Sequence, residues 1–226
     1  MVVVGAAGDL ARAVLAQCGS YRDRYLFDQR DDSPAVAHCD VAVPGDVERA
    51  LDALPIEATQ HWRMLSVVGS FNGRAEWAGD WHALRASIEI NLTGVAHFAG
   101  GLAHRLAVAG ATGRLVIVGS AASRVGSRDI GYGAAKAGLV GLVRSLSKVF
   151  AARGVTTVGV EPGIIDTAMS RQQDPIRRAA AIGQNDAVRP FGVVEVAEII
   201  RYALCAAPNA LSGSMIEVGG GPSRPR

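Results

Sequence analysis

The sequence predicts an α/β protein: one domain built on a doubly wound parallel sheet of about seven strands, with helices on both faces. Three observations lead there. Short β-branched apolar runs alternate with segments of helical period from end to end. One of these runs, residues 115–118, is apolar without interruption, as a strand buried on both faces requires. The chain also opens on Met1-Val-Val-Val-Gly5-Ala-Ala-Gly8-Asp9-Leu10, a strand that turns through glycines into a helix. The crossovers are expected to be right-handed, and the expected strand order is three-two-one-four-five-six-seven.

Composition sets the limits. At 226 residues and 49% hydrophobic, the chain can bury one sizeable core, expected over residues 1–221 with a disordered tail at 222–226. With 23 basic and 21 acidic side chains it carries no nucleic-acid footprint, and no apolar run reaches membrane length. Neither nucleic acid nor membrane is expected as a partner, and the protein is expected to be soluble and cytoplasmic. Cys18, Cys39 and Cys205 are odd in number and lack ligand spacing, and the five histidines form no ligand motif. No metal is expected.

In the first turn, Gly5 and Gly8 allow backbone to approach a pyrophosphate, and a helix starting at about Asp9 adds N–H groups and a positive dipole end. Asp9 itself puts an acid there. Residues 25–28 form the second strand. It ends on Asp28, about twenty residues past the glycines, where a carboxylate bonds ribose hydroxyls and repels a 2′-phosphate. Arg30 is the residue that could grip such a phosphate instead. NAD(H) is therefore expected over NADP(H). Residues 35–38 read as the third strand and 46–54 as a helix capped by Asp46 and stopped by Pro55. Residues 63–68 read as the fourth strand. Gly79-Asp80-Trp81 leads into a helix that holds Asn91, an unfavourable residue at mid-helix.

Beyond the central strand stands Ser120, where ligands of open α/β sheets bind. Tyr132 then opens a long helix that Gly154 ends, and Lys136, one turn on, shares its face. An ammonium beside a phenol favours the phenolate and brings a group of pKa about 10 toward working range. Ser120 can add a hydrogen bond to a reacting oxygen, so the set suits proton transfer to a carbonyl or from an alcohol. Residues 156–160 are the sixth strand. Residues 168–190 show little apolar periodicity and read as a mobile lid. Residues 194–206 are an amphipathic helix and 214–218 the last strand. Arg124 and Arg128 in the loop, with Arg171, Arg177, Arg178 and Arg189, form a basic rim suited to a small anionic substrate or an acidic carrier protein. The scatter of these arginines along the chain favours a free small molecule.

Taken together, Ser120, Tyr132-x-x-x-Lys136, Asn91-x-x-Gly94 and Pro162-Gly163 resemble the short-chain dehydrogenase/reductase family over about residues 2–221. The resemblance implies a Rossmann-like fold and a nicotinamide-dependent enzyme interconverting a secondary alcohol and a ketone. Ser120, Tyr132, Lys136 and Asn91 would be its catalytic set. It places Gly5, Gly8, Asp9 and Leu10 at the phosphates, Asp28 at the ribose and Asp40-Val41 beside the adenine. Gly69, Pro162, Gly163, Ile164 and Thr167 would stand near the nicotinamide, with Tyr132 and Lys136 at its ribose. It also implies a homodimer or homotetramer through the helix after Tyr132. The segment after that tyrosine is similar to 3-oxoacyl-carrier-protein reductases, a second reading; a nucleotide sensor or scaffold without turnover is a third. The chain departs from the family pattern at Ser66-Val67-Val68-Gly69, where Asn-Asn-Ala-Gly is usual, at Asp9 and Ala11, where glycines are, and in the twelve-residue step from Ser120 to Tyr132, where thirteen is common.

Overall fold

A computed structural model of the chain describes residues 1–19, 21, 23–30, 34–71, 79–183, 185 and 187–219. The expected tail at 222–226 lies outside them. Seven strands, β1 (Val2–Val4), β2 (Tyr25–Asp28), β3 (Ala37–His38), β4 (His61–Ser66), β5 (Thr112–Val118), β6 (Val155–Pro162) and β7 (Met215–Val218), form one sheet. The order is β3-β2-β1-β4-β5-β6-β7 with every pair parallel, as expected.

Helices cover both faces because successive strand side chains point to opposite sides and both sets are apolar. Val2, Val4, Met64, Leu115 and Ile117 face one layer, with Phe98, Leu102, Leu139 and Val143. That layer holds α2 (Pro44–Asp52), α4 (Gly94–Ala109) and α6 (Ile130–Phe150). Val3, Leu65, Val116 and Val158 face the other, with Ala11, Val14, Val196 and Ile200 of α1 (Asp9–Gln17) and α9 (Val193–Cys205).

Several local expectations are corrected. The helix expected at 46–54 starts at Pro44, which suits a first helical position, and Val43 precedes it in extended conformation. Asp46 is therefore not its cap. Its carboxylate turns back to accept from Asp40 N at 3.1 Å and pairs with His38 Nε2 at 3.2 Å. Asp80 does cap α3 (Trp81–Ile88), accepting from His82 N and Ala83 N. Between α3 and α4 the chain makes a π-helical turn, Glu89–Thr93, with Asn91 inside it. Residues 168–190 contain α7 (Ala168–Arg171) and α8 (Pro175–Gly183), with Thr167 capping the first. The remaining short helix, α5 (Ala122–Val125), follows β5.

Two glycines are required by close approach. Gly5 has φ +81°, and a Cβ there would stand 3.0 Å from the Val67 carbonyl carbon. At Gly94 a Cβ would come within 2.4 Å of Val41 O, so α4 can lie against the loop after β3 only through glycine.

Candidate active site

The carboxyl ends of β1, β4, β5 and β6 open into a cleft of about 960 Å³. Its position follows from topology: β1 and β4 are neighbours whose connections leave to opposite faces, and this parts the loops above them.

The structure brings most of the expected site residues into this cleft. Gly8, Asp9 and Leu10 line one end; Gly69, Ser120, Tyr132 and Lys136 line the middle; Pro162, Gly163, Ile164 and Thr167 line the far wall. Gly5, Asp28, Asp40, Val41 and Asn91 are not among the residues that line it. Gly5 packs against the Val67 carbonyl, and Val41 packs against Gly94 in a loop where Asp40 accepts from Ala42 N.

Tyr132 sits in the first turn of α6 because Asp129 caps that helix and accepts from Tyr132 N at 2.9 Å. Ser120 lies just past β5, its Oγ accepting from Ala122 N at 3.2 Å. Burial pushes the Tyr132 phenol above its ordinary pKa, the hydrogen bond with the Ser120 side chain works against that, and Asp129 adds to the rise. Phe71 packs edge-on to the ring at 5.2 Å. The Lys136 ammonium stands 5.5 Å from the ring centroid and donates to Val68 O at 3.2 Å and Val118 O at 3.4 Å. Burial lowers its pKa from 10.5 to about 8. The ammonium is thus held by two backbone carbonyls beside the ring, and burial is the largest influence on the phenol.

Asn91 is fully buried and fastens the loop after β4: Oδ1 accepts from Ser70 N at 3.0 Å, and Nδ2 donates to Ser70 O at 2.8 Å and Ser87 O at 2.9 Å. A Cβ at Gly69 would stand 3.8 Å from both Asn91 Oδ1 and Lys136 Nζ. Asn91 thus braces the loop whose Val68 carbonyl receives Lys136. This bracing stands where the sequence lacks the Asn-Asn pair.

Asp28 faces the glycine turn. Its Oδ2 accepts from Ala7 N at 3.0 Å, and Oδ1 accepts from Arg30 N at 3.0 Å and Arg30 Nε at 3.2 Å. Burial pushes the carboxyl up, and these bonds outweigh it and hold it below its ordinary pKa. Arg30, which pairs with it, reaches the cleft.

The basic rim is largely neutralised from within. Arg124 pairs with Glu217 at 2.9 Å and lies 3.7 Å from Glu161; Arg171 and Arg178 pair with Asp166 at 3.1 and 2.9 Å; Arg189 pairs with Glu195 at 3.0 Å. Arg128 and Arg177 line the cleft.

Two further residues shape the site. Glu161, buried at the end of β6, accepts from Ser123 Oγ. Asn185 holds the turn after Gly163, its Oδ1 accepting from Ile164 N at 3.3 Å and its Nδ2 donating to Arg189 O at 2.8 Å. An acid inside an apolar strand was a visible signal for Glu161; Asn185 had none. Among the described residues no group of side chains could hold a metal ion, and no helix is long and apolar enough to cross a membrane.

Comparison with known proteins agrees with this architecture. Residues 22–223 match the family profile described as enoyl-(acyl carrier protein) reductase. The 3-oxoacyl-[acyl-carrier-protein] reductase FabG of Salmonella typhimurium is 34% identical over 110 residues, 48% of this chain and 45% of that protein. The corresponding MabA of Mycobacterium avium is 36% identical over 110 residues, 48% of this chain and 43% of that one. The chain thus spans about half the length of the curated relatives it matches. Among solved structures, a short-chain dehydrogenase/reductase from Brucella melitensis aligns with TM-score 0.82 at 23% identity, over 99% of this chain and 96% of that one. Levodione reductase aligns with TM-score 0.82 at 21% identity, over 97% and 95%. The chain belongs to the short-chain dehydrogenase/reductases, in the family described as enoyl-(acyl carrier protein) reductase.

Proposed function

We propose that the protein is an NAD(P)-dependent oxidoreductase interconverting a secondary alcohol and a ketone. The observation that carries this reading is the grouping of Ser120, Tyr132 and Lys136 in one cleft beyond the strand ends. The cleft also fits a dinucleotide: a glycine turn opens a helix at one end, and about 960 Å³ is at the upper end of ordinary ligand pockets. The dinucleotide, when bound, supplies or accepts the hydride.

In reduction the Ser120 hydroxyl holds the substrate oxygen and the Tyr132 phenol donates its proton to it. Lys136 supplies positive charge close by, against which a phenolate is stabilised. Asn91 keeps the Ser70 loop, and with it the Val68 carbonyl, in register with Lys136.

NAD(H) is the favoured form. Asp28 stays charged, and the one cation beside it in the pair, Arg30, is already neutralised by it. A 2′-phosphate would meet a pair of no net charge in place of a free guanidinium. The internal pairing of Arg124, Arg171, Arg178 and Arg189 supports a free small substrate. The likeness to FabG and MabA favours a second reading, a 3-oxoacyl thioester on a carrier protein. A cytoplasmic homodimer or homotetramer built through α6 belongs to the same proposal.

The test is turnover of NADH and NADPH with a panel of small ketones and with a 3-oxoacyl thioester on its carrier. Reduction of a free ketone is expected. Reaction of the carrier thioester alone would favour the second reading, and no turnover with any substrate despite dinucleotide binding would favour a sensor.

A further inference from the structure

The glycine turn carries an acid where an anion would have to lie. Asp9 is the first residue of α1, whose opening turn leaves N–H groups without intrahelical acceptors and bears the positive end of the helix dipole. Gly5 and Gly8 bring backbone to the same place, and together these make a phosphate cradle. The Asp9 side chain nevertheless reaches away from its own helix, and its Oδ2 accepts from Ala168 N at 2.8 Å. Ala168 starts α7, beyond β6, and β4 and β5 lie between β1 and β6 in the sheet. Asp9 and Ala168 both line the cleft, so this single bond spans it.

We infer that Asp9 sets the affinity of the dinucleotide site: its carboxylate stands in for a phosphate oxygen between the glycine turn and Ala168, and a dinucleotide binds by displacing it. The inference rests on the dinucleotide reading above. The carboxylate opposes a pyrophosphate in two ways. It repels it as a like charge, and it occupies a backbone donor on the opposite wall. While the bond lasts it also clasps α7 to the glycine turn across the cleft mouth.

Three proteins separate these effects: the unaltered chain, Asp9→Asn, which keeps an acceptor for Ala168 N without the charge, and Asp9→Gly, which removes both. Binding of NADH and NADPH is read by ligand fluorescence at low and moderate salt. Asp9→Gly should bind at least about tenfold more tightly than the unaltered chain, with Asp9→Asn between them. The advantage should shrink at higher salt, where like-charge repulsion is screened. Without nucleotide, hydrogen exchange over residues 168–183 should rise in Asp9→Gly and stay near the unaltered rate in Asp9→Asn. Should Asp9→Gly lose stability, Asp9→Asn still carries the charge half of the test. Equal or weaker binding by both variants, with measurable binding by the unaltered chain, overturns this inference and leaves the dinucleotide reading standing. If none of the three binds either nucleotide, the dinucleotide reading falls and this inference with it. Unchanged exchange in Asp9→Gly overturns the clasp.

Discussion

The Ser123 hydroxyl donates to the carboxylate of Glu161, which is 2% exposed, and so joins the helical turn after Ser120 to the strand end before Pro162. Arg124 lies 3.7 Å from the same carboxylate and pairs with Glu217 at 2.9 Å. One buried acid therefore holds together two segments that line the cleft. Glu161→Ala removes the acceptor of Ser123 and one partner of Arg124. It should lower stability by about 3 kcal/mol, the scale for breaking a buried pair. Glu161→Gln keeps an acceptor and should lose clearly less. Urea unfolding of the two variants checks this; equal losses would mean that charge, not the hydrogen bond to Ser123, is what matters there.

Tyr132→Phe removes the transferable proton and keeps the ring against Phe71. Turnover should fall at least about a hundredfold, the usual scale of general acid–base catalysis. Dinucleotide affinity should stay within about twofold, since the proposed role of the hydroxyl is in proton transfer. Retained turnover removes Tyr132 from the mechanism.

Lys136 gives a pH signature in stability. Its folded pKa of about 8 lies below the ordinary 10.5. Between those values the unfolded chain binds more protons than the folded one, so stability rises with pH across that window. Below pH 8 the cost of burying the ammonium is present in full. From pH 7.5 to 10.5 the unaltered protein should gain up to about 3 kcal/mol relative to Lys136→Met. Parallel urea curves at three pH values decide it, and a constant difference would mean that Lys136 keeps its ordinary pKa.

Asp28→Ala removes the partner of Arg30 and the acceptor of Ala7 N. NADH should bind less tightly and NADPH should gain, narrowing the preference by about tenfold, one charge-assisted contact in each direction. Dissociation constants for both forms measure it. Tighter binding of NADPH by the unaltered protein would make Arg30 the reader of the phosphate.

The Tyr132–Lys136 pair was legible because a helix puts residues four apart on one face, whatever surrounds the helix. The glycine turn and the strand-end serine were legible for a similar local reason. The orientation of Asp28 was not, because whether its carboxylate faces the ribose position or the glycine turn depends on Ala7 and Arg30, and only the former lies on another strand's turn. The π-helical turn at Asn91 was not legible either, since it depends on the loop at Ser70 accepting and returning the amide's bonds. The segment at 168–190 was read as irregular because its two helices are short, and α8 buries no residue to leave an apolar stripe.

By itself the sequence determined the alternation of strands and helices, the two-sided core and the positions of Ser120, Tyr132 and Lys136 along it. Those features follow from side-chain periods of two and 3.6 residues and from local turn chemistry, which act over a few neighbours. Only the tertiary structure decided which polar groups meet. Asp9 finds Ala168 across 159 positions, and Ser123 finds Glu161 across 38. Arg124 is drawn from the expected rim onto Glu217. Such pairings arise when parallel strands bring distant loops to one edge of the sheet, and no local periodicity carries that information.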